Sequence, residues 1–178
     1  VYVVDALNHR IQRFAGVGSF VNQWGQQGSG SGEFETIFGI AVNRASQVYV
    51  ADFATDKIQI FSEDGILLET LGESGAGDGQ FNGPTDIACA PLENVYVVDS
   101  LNNRVERFTA EGQFILQWGE FGIGEGQFNE PTGIALDSED NIYVVDTDND
   151  RVQKFTANGE FIELWGSTGS EAGLFDFP

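Results

Sequence analysis

Three carboxylates alternate in DTDND. Asp146, Asp148 and Asp150 carry the D-x-D-x-D spacing with which an EF-hand calcium loop begins. Arg151 stands where the turn glycine of such a loop belongs, and Ala157 occupies the twelfth position in place of its glutamate. Weak Ca²⁺ binding by this trio is therefore the one metal role the spacing leaves, and otherwise no metal or cofactor is expected. The neighbouring DSED (137–140) reads as a hairpin turn with solvated carboxylates. One histidine, His9, and one cysteine, Cys89, cannot supply the three protein ligands of a catalytic zinc site without carboxylates. His9 falls in a polar turn position, and Cys89 is expected as a small buried residue. No G-x-S-x-G precedes a helical pattern, and the GSGSG at 28–32 has no following helix to cradle a phosphate, so it reads as a flexible loop. No carboxylate pair is singled out for acid–base work, and no enzymatic activity is expected.

A second pattern joins acids to bases. Asp5, Asp52, Asp99 and Asp146 are each followed five residues later by Arg10, Lys57, Arg104 and Arg151. Across a short turn a carboxylate and a cation can form a charge-assisted pair, and four structural ion pairs are expected. A further column holds Arg13, Arg107 and Lys154, with Ile60 in the remaining unit, and Arg44 alone stands outside both columns. With 28 acidic residues against 8 basic and a net charge of −20, few cations remain for phosphates. Nucleic acid and anionic membrane surfaces are not expected partners, whereas a basic partner would be complementary.

These recurrences demand repeated elements. VYVVDALNHRIQRF at Val1 returns as VYVADFATDKIQIF at Val48, VYVVDSLNNRVERF at Val95 and IYVVDTDNDRVQKF at Ile142, a period of 47 residues. The units are 1–47, 48–94, 95–141 and an incomplete 142–178. Each full unit holds four short runs rich in Val, Ile, Phe, Tyr and Trp, named b, c, d and a in order of appearance. In the third unit these are Val95–Asp99, Arg104–Phe108, Gln113–Gly119 and Thr132–Asp137. Turn sequences such as TAEG, TANG, SEDG, SEDN and PLEN separate them, and no sustained helical period occurs. All four Tyr share one column, and the three Trp share another with Leu71. Such regularity marks core. Glycines at 18, 65, 112 and 159 mark the c–d hairpins. The single cysteine excludes an intrachain disulfide framework. No apolar run reaches the roughly 18 residues of a membrane helix. Four antiparallel strands per repeat predict an all-β fold, a β-propeller of about four blades forming a part-ring within one domain, 1–178. The first blade lacks its innermost strand.

GQFNEPTGIALDSEDNIYVVDTDNDRVQKFTANGEFIELWG (126–166) and GQFNGPTDIACAPLENVYVVDSLNNRVERFTAEGQFILQWG (79–119) resemble NHL repeats. The resemblance runs over essentially the whole chain and implies propeller blades, usually six to a ring. That family includes RNA-binding modules, extracellular sensor domains of bacterial kinases and a zinc-dependent amidating lyase, so the resemblance implies no single activity.

Antiparallel order places the b–c turns and d–a loops on one face. Leu7, Phe53, Leu101, Phe121 and Ile123 break the repeat there, beside acidic Asp56, Asp78, Glu120, Glu125, Asp148 and Asp150. This face is the expected contact for a protein or peptide partner, and the chain is expected to be a non-catalytic interaction scaffold. Two alternatives stand beside it. One is a self-assembling module in which copies complete a ring through open blade ends. The other is a metal-assisted propeller hydrolase or lyase. The first residue already lies within a strand pattern, which suggests a piece of a longer chain and leaves the compartment open.

Overall fold

The computed structural model describes residues 1–91 and 94–178. The PLEN turn expected at 91–94 therefore lies partly outside the described residues. Among the described residues, fifteen strands form four antiparallel sheets. The first sheet has three strands, β1 (Tyr2–Asp5), β2 (Arg10–Phe14) and β3 (Phe20–Trp24). The second holds β4 (Ile37–Val42), β5 (Val48–Asp52), β6 (Lys57–Phe61) and β7 (Leu67–Leu71). The third holds β8 (Pro84–Cys89), β9 (Val95–Asp99), β10 (Arg104–Phe108) and β11 (Phe114–Trp118). The fourth holds β12 (Pro131–Leu136), β13 (Ile142–Asp146), β14 (Arg151–Phe155) and β15 (Phe161–Trp165). The architecture is that of propeller blades, and the a strands β4, β8 and β12 lie side by side as the innermost strands.

The middle strands are buried on both sides because blades stack face to face. All five residues of β5 and of β9 are buried. Tyr49, Leu71, Val95 and Phe108 join one core between the second and third sheets, and Tyr96, Phe128, Ile142 and Phe155 join the next. Between them the blades are closed by an aromatic or a leucine on a glycine. Trp24 covers Gly65, Leu71 covers Gly112, and Trp118 covers Gly159. A Cβ on Gly159 would lie 2.6 Å from the Trp118 ring, and its φ of +79° is one that L residues rarely adopt. The c–d glycines at 65, 112 and 159 are thus required twice, by the hairpin and by the preceding blade.

The b–c connections contain what the strand pattern does not show. Ala6–Asn8, Ser100–Asn102 and Thr147–Asn149 each form one turn of 3-10 helix, ended by a residue in left-handed conformation. A single turn is too short to produce a helical period. Among the described residues no helix is long and apolar enough to cross a membrane.

Candidate interaction face

The b–c corners and d–a loops are tied together by arginine. Arg104 Nε donates to Asp99 at 2.7 Å, and its remaining nitrogens donate to the carbonyls of Ala76, Gly77 and Gln80. Arg151 repeats the arrangement on Asp146, Ile123, Gly124 and Gln127. One planar fork thereby holds both a buried carboxylate and an entire loop. Arg10 also pairs with Asp5, at 2.7 Å and partly exposed. The second unit departs from the expected pattern. Lys57 makes no ion pair with Asp52 among the described residues and reaches the Ser29 carbonyl at 3.3 Å. Asp52 instead accepts from the backbone N–H groups of Glu35 and Thr36. The Glu35 N–H contact recurs as Asn82 N–H on Asp99 and Asn129 N–H on Asp146, so the bond particular to this unit is that from Thr36 N–H.

The acid trio does not converge. Asp146 is buried and bound by Arg151, Asn149, Gln153 and the Asn129 N–H. Asp150 accepts from Thr168 Oγ1 at 2.6 Å and from Phe177 N at 2.7 Å. These bonds, led by Thr168, hold its carboxyl below the usual range. Only Asp148 points into solvent. Among the described residues no three His, Cys, Asp or Glu side chains are grouped to hold a metal ion. Asp137, expected as a solvated turn residue, instead accepts from Asn141, Glu139 and Tyr143, and the Asn141 amide leads in holding its pKa far down.

Two other face acids also have structural duties. Asp56 Oδ1 accepts from Gly83 N at 2.7 Å, as Asn103 does from Glu130 N, pinning the start of the next innermost strand. Glu120 accepts from Gln127 Nε2 across its own loop. Gln127 also accepts from Gly124 N, and Asn149 Nδ2 donates to Gly122 O. The 120–127 loop is thus fixed from several sides, and it holds Phe121 and Ile123 outward at 70% and 82% exposure. In the sister loops these positions are Gln27, Ser74 and Thr168 for Phe121, and Ser29, Ala76 and Ser170 for Ile123. Leu7 is likewise bare, at 94%.

Phe53 and Leu101 behave differently. Both crowd over Gly83, and Phe53 meets Phe38 edge-on at a centroid distance of 5.6 Å. Phe38, Thr85 and Thr132 are equivalent positions of β4, β8 and β12, and together they line a cavity of about 240 Å³ beside the innermost strands. Sequence reading missed Phe38. Its signal was present, as a phenylalanine in a column otherwise threonine.

Glu106 breaks a column that is otherwise glutamine. The sister blades place Gln59 and Gln153 here, each accepting from a loop glycine N–H and donating to a loop carbonyl at 2.7 Å. Glu106 Oε2 accepts from Gly79 N, but Oε1 accepts no hydrogen bond and is met by Arg104 only as an ion pair at 2.5 Å. Burial pushes its pKa up to about 7, although Arg104 pulls the other way. The group is fully enclosed and reaches no solvent.

A family model described as NHL repeat matches residues 128–155, and one described as a 6-bladed beta-propeller matches residues 1–71. The NHL model thus covers part of the third and fourth units, and the propeller model the first unit and half of the second. No curated protein matches the sequence. Among solved structures, a protein of unknown function from Bacteroides thetaiotaomicron superposes with a TM-score of 0.74 at 18% identity, covering 96% of this chain and 48% of its own. A virginiamycin B lyase from Staphylococcus aureus, solved with quinupristin, gives 0.69 at 16%, covering 92% and 50%. The Kuenenia stuttgartiensis hydrazine synthase gives 0.69 at 12%, covering 92% and 44%. The chain spans about half the length of these structures, and at such identities the likeness is one of fold.

Proposed function

We propose that this NHL-type propeller chain is a non-catalytic interaction scaffold that takes a basic protein or peptide segment on the b–c/d–a face. The observation that carries this reading is the 120–127 loop. It is held by Arg151, Asn149 and Gln127, yet it presents Phe121 and Ile123 to solvent on the face that also carries the exposed Asp148. Rigid apolar side chains offered at little entropic cost are what a peptide contact uses, and surrounding negative charge selects for and steers a cationic partner. The fold likeness to a lyase concerns blades of low identity, and no observation on this face favours bond cleavage over binding.

The test uses fluorescence anisotropy with a labelled amphipathic 12-residue Arg/Leu peptide. The parent chain is expected to bind it, more weakly at 300 mM than at 50 mM NaCl. The double variant Phe121→Ser/Ile123→Ser is expected to lose about tenfold in affinity, on the order of 1.4 kcal/mol. Its melting temperature should stay within about a degree, because both side chains are exposed. Equal affinity of variant and parent would sink the reading.

A further inference from the structure

The strongest unassigned feature lies on the opposite face, where the a–b and c–d turns meet, and it is independent of the loop reading above. In two places there, an arginine crosses from one sheet to the next. Arg13 donates to Glu63 O at 2.9 Å and to Asp64 Oδ1 at 3.1 Å, with its guanidinium 5.8 Å from the Tyr2 ring centre. Arg107 donates to Ala157 O at 2.9 Å and to Asn158 Oδ1 at 3.0 Å, 5.7 Å from Tyr96. The acceptors in each case are the two central residues of the next sheet's c–d turn.

Between the second and third sheets the receiving turn is intact and the arginine is missing. Its column holds Ile60, which is buried between Tyr49 and Glu69 on the neighbouring strands. The equivalent turn residues are Ala110 and Glu111. A cavity of about 300 Å³ opens there, lined by Asn43, Ala45, Gln47, Glu69, Ala110 and Glu111. The Ala110 carbonyl accepts from the Tyr49 hydroxyl at 3.2 Å, just as Ala157 accepts from Tyr96 while also holding Arg107. The second lone pair of Ala110 O is therefore the one the sister site gives to a guanidinium. Glu69 and Glu111 supply two carboxylates where the Arg107 site has Leu116 and Asn158. Their charge is felt locally: Tyr49 is pushed up to about 12, chiefly by burial, with Glu111 and Glu69 adding to it. Arg44, the only cation in the lining turn, is exposed and forms no ion pair among the described residues.

We propose that this cavity between the second and third sheets binds an alkylguanidinium group, held by the Ala110 carbonyl and the Glu69 and Glu111 carboxylates. The fork of a guanidinium can meet the carbonyl and a carboxylate together, which an ammonium cannot do in one geometry. The group can arrive as a small guanidino compound or as an arginine side chain of another protein.

The test is an NMR titration of the ¹⁵N-labelled chain with methylguanidinium, with n-butylammonium, and with the peptide Gly-Arg-Gly capped at both ends. Saturating shifts are expected at Glu69 and at Ala110–Gly112 with either guanidinium probe, at least threefold tighter than with the ammonium. Equal affinity of the two guanidinium probes points to a small-molecule ligand. Tighter binding of the peptide points to an arginine of a partner. Glu69→Gln/Glu111→Gln, which changes two surface carboxylates, should weaken binding at least fivefold. Ile60→Arg, by filling the site from within, should abolish it. Shifts that fail to saturate, or that persist undiminished in the carboxylate variant, would overturn the proposal.

Discussion

Glu106 shows how one atom can set the pH response of a fold. Replacing an amide nitrogen by a carboxylate oxygen leaves Oε1 facing a site where its sister glutamines donate. Only the protonated acid can donate there. Its folded-state pKa is raised from 4.5 to about 7, mainly by burial, with Asp99 and Asp78 adding to the rise and Arg104 and Gly79 N opposing it. The stability it contributes is therefore fully present below about pH 4.5 and is lost as pH climbs through 7. Glu106→Gln should restore the donor at every pH. Urea denaturation is expected to show the variant more stable than the parent by about 1–3 kcal/mol at pH 8, with the difference shrinking toward pH 5. A difference that stays constant with pH, or grows on acidification, would refute this account.

At the scale of the element, the unit of stability is the contact between successive blades. Each uses a d-strand aromatic or leucine over the next c–d glycine, and two add an arginine to the turn carbonyl. Gly159→Ala tests the aromatic part. The new methyl would meet the Trp118 ring and would also strain a hairpin held at φ +79°. A loss of about 1–3 kcal/mol is expected from thermal or urea melts. Gly18 has the same hairpin φ, +83°, but nothing within 4 Å of its Cβ position. Gly18→Ala should thus cost only the backbone part, about 1 kcal/mol, and equal losses at the two sites would argue against the inter-blade contact. The repeat period exposed these glycines and aromatics as columns. It did not say that they belong to different blades when they touch, because that pairing is made across the stack and not along the chain.

For the whole molecule, a net charge of −20 on a 19.3 kDa chain sets a self-repulsion that no single pair relieves. Most of the cations are spent on local pairs and turn carbonyls. The melting temperature is therefore expected to rise by several degrees between 10 mM and 300 mM NaCl as the surface charges are screened. A flat or falling response would mean that the attractive pairs outweigh the repulsion. The same field favours approach of cationic partners to either face.

What the amino-acid order determined alone was everything periodic. Strand positions, the Tyr, Trp and Phe columns, the hairpin glycines and the Asp–Arg pairing at 99/104 and 146/151 follow from local pattern repeated at 47 residues. The tertiary structure decided where the pattern breaks. It turned Asp56 and Asp150 from face acids into backbone anchors, tied Glu120 to the Gln127 amide, separated Lys57 from Asp52, and brought Phe38 against Phe53. It also left a cavity where Ile60 replaces an arginine. The physical reason is reach. A strand's hydrogen-bonding and burial pattern is set by its own residues and its hairpin neighbours. By contrast, the use of a polar side chain depends on which carbonyl or N–H the neighbouring blade brings within about 3 Å of it.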